Sequence, residues 1–195
     1  AQIHLDEKRW PEARQEIERT LKIDPKAART YSQLGIVYYY EGRMAEAASA
    51  METAIDIDSS SPSFWGNLGT VYRHLPGSGT KAQAALARAV ELGEKRLELT
   101  PGDGNLLSDL GEYYAKLGER RKALAMVGRI PAENRQRYLG RVILIYELTG
   151  LRKEAIEAVR QSPGDLAIVN AIKSDPDLAG LWKDVTLQRV LSATP

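Results

Sequence analysis

The stretch Trp65-Gly66-Asn67-Leu68-Gly69-Thr70-Val71-Tyr72 decides how this chain is read, because its spacing returns along the sequence. Tryptophan is followed by leucine and glycine three and four residues on, and by tyrosine three beyond the glycine. Gly35 stands 34 residues before Gly69, and Tyr38 stands 34 before Tyr72, in the stretch Tyr31-Ser32-Gln33-Leu34-Gly35-Ile36-Val37-Tyr38. A fixed period of this size marks an array of small units, each able to bury its apolar face only against its neighbours.

The same frame extends in both directions. After Gly42 the earlier copy continues with Ala47 and Met51, and ends with Ala54, Ile55 and Ile57. Ala13 lies 34 before Ala47, followed by Ile17, Leu21, Ile23 and Pro25, so the first unit has a shortened first helix. Pro11 suits the first turn of its second helix. Forward of Gly69 the spacing changes: Gly111 and Tyr114 in Leu107-Ser108-Asp109-Leu110-Gly111-Glu112-Tyr113-Tyr114 lie 42 residues on, an insertion of eight. The loop from His74 to Thr80 breaks the helix, and Thr80 is expected to cap the next one. Leu86, Ala89, Val90 and Leu97 then keep a 3.6-residue period, which predicts a second helix of about 18 to 20 residues.

The fourth unit continues through Gly118, Ala123 and Val127, and Pro131 is expected to cut its second helix short. A fifth carries Leu139, Val142, Tyr146, Gly150, Ala155 and Val159, with Ile143 where the small glycine belongs, which predicts a looser helix crossing. After Ser162-Pro163-Gly164-Asp165 the frame ends, although Leu166, Ile168, Val169 and Ile172 remain apolar. Ser174-Asp175-Pro176 reads as a helix start. Trp182, Leu187, Val190 and Leu191 are candidates to cover the bare face of the last repeat.

The W-x2-L-G-x2-Y signature, with alanine and a large apolar residue four later on the second helix, resembles the tetratricopeptide (TPR) repeat. That resemblance implies an all-α, right-handed α-α superhelix with C-terminal capping helices, forming one domain over 1–195. Its repeats span about 1–27 (truncated), 28–61, 62–103 with a lengthened second helix, 104–135 and 136–163, with a cap at 164–195. The segment Asp175-Pro176-Asp177-Leu178-Ala179-Gly180-Leu181-Trp182-Lys183-Asp184 is similar to the tail closing TPR arrays of bacterial kinases, cyclases and transcription regulators. This implies a regulatory role beside an upstream effector domain in the same polypeptide. The chain opens on Ala1 partway into a helical pattern, so a fragment or processed product is expected.

Composition sets few limits on function. With 27 basic and 26 acidic residues in 195, the formal charge is +1, so no overall field recruits nucleic acid or an anionic membrane. With no cysteine, disulfides and thiolate metal sites are excluded, and the redox compartment stays open between cytoplasm and periplasm. No apolar run approaches the ~18 residues of a membrane helix.

Signature residues such as Trp65, Leu68, Gly69 and Tyr72 belong to packing. If fully buried, truncating Trp65 or Leu68 to alanine costs about 3 to 5 and 2 to 5 kcal/mol. The resemblance places partner-binding residues at fixed offsets from each signature glycine, on the concave side of the first helices. These are Arg29, Gln33, Ile36, Tyr39 and Tyr40 in the second unit, and Asn67, Thr70, Arg73 and His74 in the third. Asn105, Asp109, Glu112 and Lys116 follow in the fourth, and Arg137, Arg141, Leu144 and Glu147 in the fifth.

In the run Tyr38-Tyr39-Tyr40, Tyr38 is expected to take the core and leave Tyr39 and Tyr40 toward the groove or the next repeat. Arg137 and Arg141 are like charges at i, i+4, with Asp109 placed opposite Arg141, and Glu112 with Lys116 forms a favourable pair within a solvated charge ladder. Chaperone-binding TPR domains grip a terminal carboxylate with a lysine, asparagine and arginine set. Only Asn67 matches it, while Ser32, Ile36 and Asp109 depart from it.

Catalytic signals are nearly absent. His4 and His74 are the only histidines and fall in different units, and no H-E-x-x-H or G-x-S-x-G occurs. Pro76-Gly77-Ser78-Gly79-Thr80-Lys81 lacks the G-K-[ST] order of a phosphate loop and reads as a helix-to-helix turn. The expected function is therefore non-catalytic capture of a peptide or partner protein, without metal or cofactor. The alternatives are the regulatory module beside an upstream effector domain, and an accessory structural subunit docking through the convex face or the Pro76 to Thr80 loop.

Overall fold

The computed structural model describes residues 10–162 and 165–192. The shortened helix expected before Trp10, and His4 with it, lie outside the described residues. Every regular element among the described residues is helical, as the repeat frame predicts. None of these helices is long and apolar enough to cross a membrane. The chain forms two compact units, Ala1–Leu99 and Thr100–Pro195.

The first unit contains α1 (Trp10–Ile23), α2 (Ala28–Tyr40), α3 (Met44–Ile57), α4 (Pro62–His74) and α5 (Gly79–Leu99). Helices α2 and α3 are the paired helices of the second repeat, and α4 and α5 those of the third. The signature glycines stand where each pair crosses. A Cβ on Gly35 would come within 2.6 Å of Met51 Cγ, and one on Gly69 within 2.6 Å of Leu86 Cγ. The pair is thus held at the close end of the helix-packing range by a missing methyl group.

The turn between α2 and α3 is equally specific. Gly42 has φ +77, its N–H donates to Tyr39 O at 3.0 Å, and Arg43 N–H donates to Tyr38 O at 2.8 Å. This is a Schellman ending, which satisfies two carbonyls the helix would leave open. The same pair of bonds recurs at Gly118 and Gly150, to Ala115 and Tyr114 and to Glu147 and Tyr146.

Helix α5 runs for 21 residues, about two turns beyond its counterpart α3. It begins at Gly79, one residue before the expected cap. Ser78 precedes it, nearly buried, with its carbonyl accepting from Ala82 N–H at 2.8 Å, so Thr80 lies inside the first turn. Val37, Ala47, Met51, Ala54, Leu68, Val71 and Leu86 fill the core of this unit. Trp65 does not sink fully into it: its indole is half-exposed and donates to the Ser59 carbonyl at 2.9 Å.

In the second unit, α6 (Gly104–Lys116) and α7 (Arg120–Arg129) form the fourth repeat. A 3-10 turn (Ala132–Tyr138) follows, then α8 (Leu139–Leu148) and α9 (Arg152–Arg160) of the fifth. The closing segment consists of α10 (Leu166–Ser174), a 3-10 turn (Pro176–Leu178), α11 (Ala179–Trp182) and α12 (Val185–Ser192). Asp103 caps α6 and Asp165 caps α10, each accepting two backbone N–H groups at 3.0 and 3.2 Å. The cap does what its apolar pattern requires. Leu178, Leu181 and Leu187 are at most 2% exposed in one cluster with Ile143, Ile156 and Val159, and Trp182, Val190 and Leu191 pack at its edge.

The 3-10 turn corrects one expectation. Arg137 does not share a helix with Arg141, because residues 132–138 wind as 3-10 after Pro131 and α8 starts only at Leu139. Tyr138 occupies the space beside Gly104, where a Cβ would lie 2.6 Å from its ring, and this packing anchors the turn.

Candidate partner-binding site

Helix α4 shows how one element carries both scaffold and surface. At about 100° per residue, Trp65, Leu68 and Tyr72 share one side, and Asn67, Thr70 and His74 lie on the opposite side. The first side meets α3 and α5 in the core cluster. The second faces α2, and two bonds join it there. Asn67 Nδ2 donates to Ser32 Oγ at 3.2 Å, and His74 Nε2 shares a hydrogen bond with Tyr39 Oη at 3.4 Å.

These bonds place most of the expected residues of the first unit. Tyr39 is buried, 7% exposed, and its ring meets His74 edge-on at 5.6 Å, whereas Tyr38 is half-buried beneath the Arg43 guanidinium at 4.4 Å. The tyrosine run is therefore shifted by one from the expected order. Tyr40 is half-exposed and stacks on Trp10 at 5.1 Å with 9° between the rings. Thr70 donates to the Gly66 carbonyl of its own helix at 2.9 Å. Arg73 is exposed, while Gln33 and Ile36 are half-exposed on α2. Asn67 Oδ1 takes no hydrogen bond from the described residues.

In the second unit the rung between first helices is repeated. Arg141 occupies the place in its repeat that Asn67 has in the third, and its Nη1 donates to Ser108 Oγ at 3.1 Å, as Asn67 does to Ser32. Arg141 also pairs with Asp109, and with Glu112 at 3.0 Å. Glu112 in turn accepts from Lys116 at 2.6 Å, and Lys116 faces Asp177 at 3.6 Å.

The expected ladder is present but not solvated. The Lys116, Asp177 and Glu112 side chains are 2%, 6% and 14% exposed, because the Pro176–Leu178 turn of the cap lies over them. Burial opposes ionisation of Glu112, yet Lys116 and Arg141 outweigh it and hold its carboxyl below the usual range. Burial raises the carboxyls of Asp109 and Asp175, with Arg141 and Lys116 respectively working against it. Arg137 stands apart, exposed, with its guanidinium 6.0 Å from the Tyr138 ring centre. Leu144 is buried, Asn105 is exposed, and Glu147 accepts from Arg152 Nε at 3.0 Å.

The serine acceptors and the cap aspartates were not among the expected site residues. Ser32 and Ser108 share a signal, since both stand three before a signature glycine. No comparable signal ties Asp177 to Lys116, sixty-one positions away. No group of three potential metal ligands occurs among the described residues.

The geometry has counterparts among known proteins. Residues 32–96 match the Tetratricopeptide repeat family. Among solved structures, TTC0263, a thermophilic TPR protein of Thermus thermophilus, is 20% identical. The similarity covers 95% of this chain and 90% of that one, with a TM-score of 0.59. YrrB, described as a TPR protein with an unusual peptide-binding site, is 24% identical over 84% of each chain, with a TM-score of 0.44. MamA is 23% identical over 89% of this chain and 95% of that one, with a TM-score of 0.43. No curated protein matches the chain. Residues 32–96 thus match that family, and helix pairs in the same frame occur in both units.

Proposed function

We propose that the protein is a non-catalytic scaffold that captures an extended peptide or partner-protein segment along the α2–α4 face of its first unit. Tetratricopeptide-repeat proteins are as a class interaction scaffolds. The observation carrying the reading here is the Asn67 amide, which spends one N–H on Ser32 and keeps its carbonyl oxygen unbonded among the described residues. An amide presenting both a donor and an acceptor matches a peptide bond, which presents the same two. Ile36 and the half-exposed Tyr40 ring supply apolar contact beside it, and Arg73 supplies a cation for an acidic side chain or terminus.

The second unit contributes less to capture in this reading. Arg141, Asp109 and Glu112 are bonded to one another, and the cap covers Lys116. Arg137 remains outside that network as an exposed cation.

Affinity capture with the full chain, compared with Asn67→Asp and Arg73→Glu variants of unchanged melting temperature, tests the proposal. A partner retained by wild type and lost by both variants is the expected result. Equal retention by all three refutes it.

A further inference from the structure

The opposite side of α4 borders a second surface. The groove between α3, α4 and α5 has a volume of about 560 Å³. Its positions follow helical arithmetic: 52, 55 and 56 on α3; 65, 68 and 72 on α4; 81, 84, 85 and 88 on α5. Each set is one face of its helix, so three ridges border one channel. Seven residues along α5 make this channel about 10 Å long, or two helical turns.

Its floor is apolar and its walls are oppositely charged. Leu68 and Ile55 lie at the bottom with the half-exposed Trp65 ring. Asp56 is exposed on the α3 wall and Lys81 on the α5 wall, and neither forms an ion pair with any described residue. Lys81 rests 5.5 Å from the Tyr72 ring centre, and Tyr72 donates its hydroxyl to Glu52. Burial and that carboxylate push the Tyr72 phenol up to about 12, so the ring stays neutral between the two walls.

We infer that this groove docks an amphipathic helix of a partner protein. The helix presents an aliphatic side chain to Trp65 and Leu68, a basic residue to Asp56 and an acidic residue to Lys81. Charge complementarity selects this occupant, because a wholly apolar helix leaves both walls unpaired and a helix of one charge sign meets repulsion from one wall. The ridge-in-groove geometry is the one helices use on each other. The site is separate from the α2–α4 face, and each stands or falls alone.

Selection of random displayed 12-residue peptides on the full chain tests it. Exposed Ala84 at the groove mouth can be changed to tryptophan without entering the core. The selected peptides are expected to place an apolar residue between a basic and an acidic one, and to lose at least tenfold in affinity on Ala84→Trp. On the Asp56→Lys/Lys81→Glu chain, a version with the two charges exchanged should bind better than the parent peptide. Failure to select any peptide, binding unchanged by Ala84→Trp, or the same charge preference on the reversed chain overturns the inference. Peptides lost on Arg73→Glu yet indifferent to Ala84→Trp support the α2–α4 face while overturning the groove.

Discussion

Asn67 donates its side-chain amide to the Ser32 hydroxyl at 3.2 Å, joining the first helices of two successive repeats. Arg141 makes the same bond to Ser108 at 3.1 Å between the next such pair. A serine three before the signature glycine is thus a socket for whatever stands two before the glycine of the following repeat. The residue filling the socket sets the local chemistry: a neutral amide in one unit, a guanidinium in the other.

Removing the sockets should reveal that difference. Ser32→Ala is expected to cost about 0.5–1.5 kcal/mol, and Ser108→Ala, wholly buried and bonded to a charged group, about 1.5–3 kcal/mol. Urea unfolding of the two variants checks the order. Equal costs would show that the charge on Arg141 adds nothing to the bond.

Glu112 joins two cations, Lys116 and Arg141, and the Lys116 side chain is only 2% exposed. Glu112→Gln removes the nearer carboxylate from Lys116, with Asp177 remaining at 3.6 Å, and is expected to cost about 3–5 kcal/mol. The exposed pair Lys122–Glu119, also 2.6 Å apart, should lose less than about 1 kcal/mol on Lys122→Ala. Chemical denaturation distinguishes the two; similar losses would mean that burial of the ladder does not govern its strength.

The same network fixes two pH dependences of opposite sign. The Glu112 carboxyl lies below its unfolded value, so its stabilisation is present above the unfolded pKa of about 4.3 and lost as pH falls through the lower folded value. Asp175 is raised by burial, with the Asp177 and Glu112 charges adding to the shift and Lys116 and the Asp177 N–H working against it, so its charged form carries a penalty above the folded pKa that disappears as pH falls through it. Asp175→Asn keeps an oxygen to accept the Asp177 N–H. It should therefore raise the melting temperature at pH 7, with a gain that shrinks toward pH 4. A gain that grows on acidification contradicts the assignment.

The signature glycines can be ranked by what a methyl group would strike. Gly69→Ala meets the branch carbon of Leu86 at 2.6 Å and should cost about 1–3 kcal/mol. Gly35→Ala meets the unbranched, adaptable Met51 at the same distance and should cost less. Gly128, helical with nothing within 4 Å, should gain about 0.5–1 kcal/mol as alanine. Thermal melts of the three give the order directly.

The helix pairs were legible in the sequence because glycine, alanine and the spaced aromatics record close crossings at fixed intervals. The length of α5 followed from the inserted residues in the same way. What stayed hidden depends on partners far along the chain. Tyr39 rather than Tyr38 is buried because its hydroxyl shares a hydrogen bond with His74, while Arg43 covers Tyr38 and Trp10 stacks on Tyr40. Nothing local distinguishes three consecutive tyrosines. Arg137 left the helix because Tyr138 packs beside Gly104 in the preceding repeat, and the charge ladder is buried because Asp177 of the cap reaches Lys116. Trp65, a signature residue, stays half-exposed because its indole N–H bonds to Ser59 at the helix entrance.

The α2–α4 face is tested most directly by the dissociation constant of a captured partner segment for wild type and for Arg73→Glu, with melting temperatures compared alongside. The side chain is exposed, so the substitution should leave the melt within about 0.5 kcal/mol of wild type. At least a tenfold loss of affinity with an unmoved melt is the predicted result. An unchanged dissociation constant would contradict capture along this face.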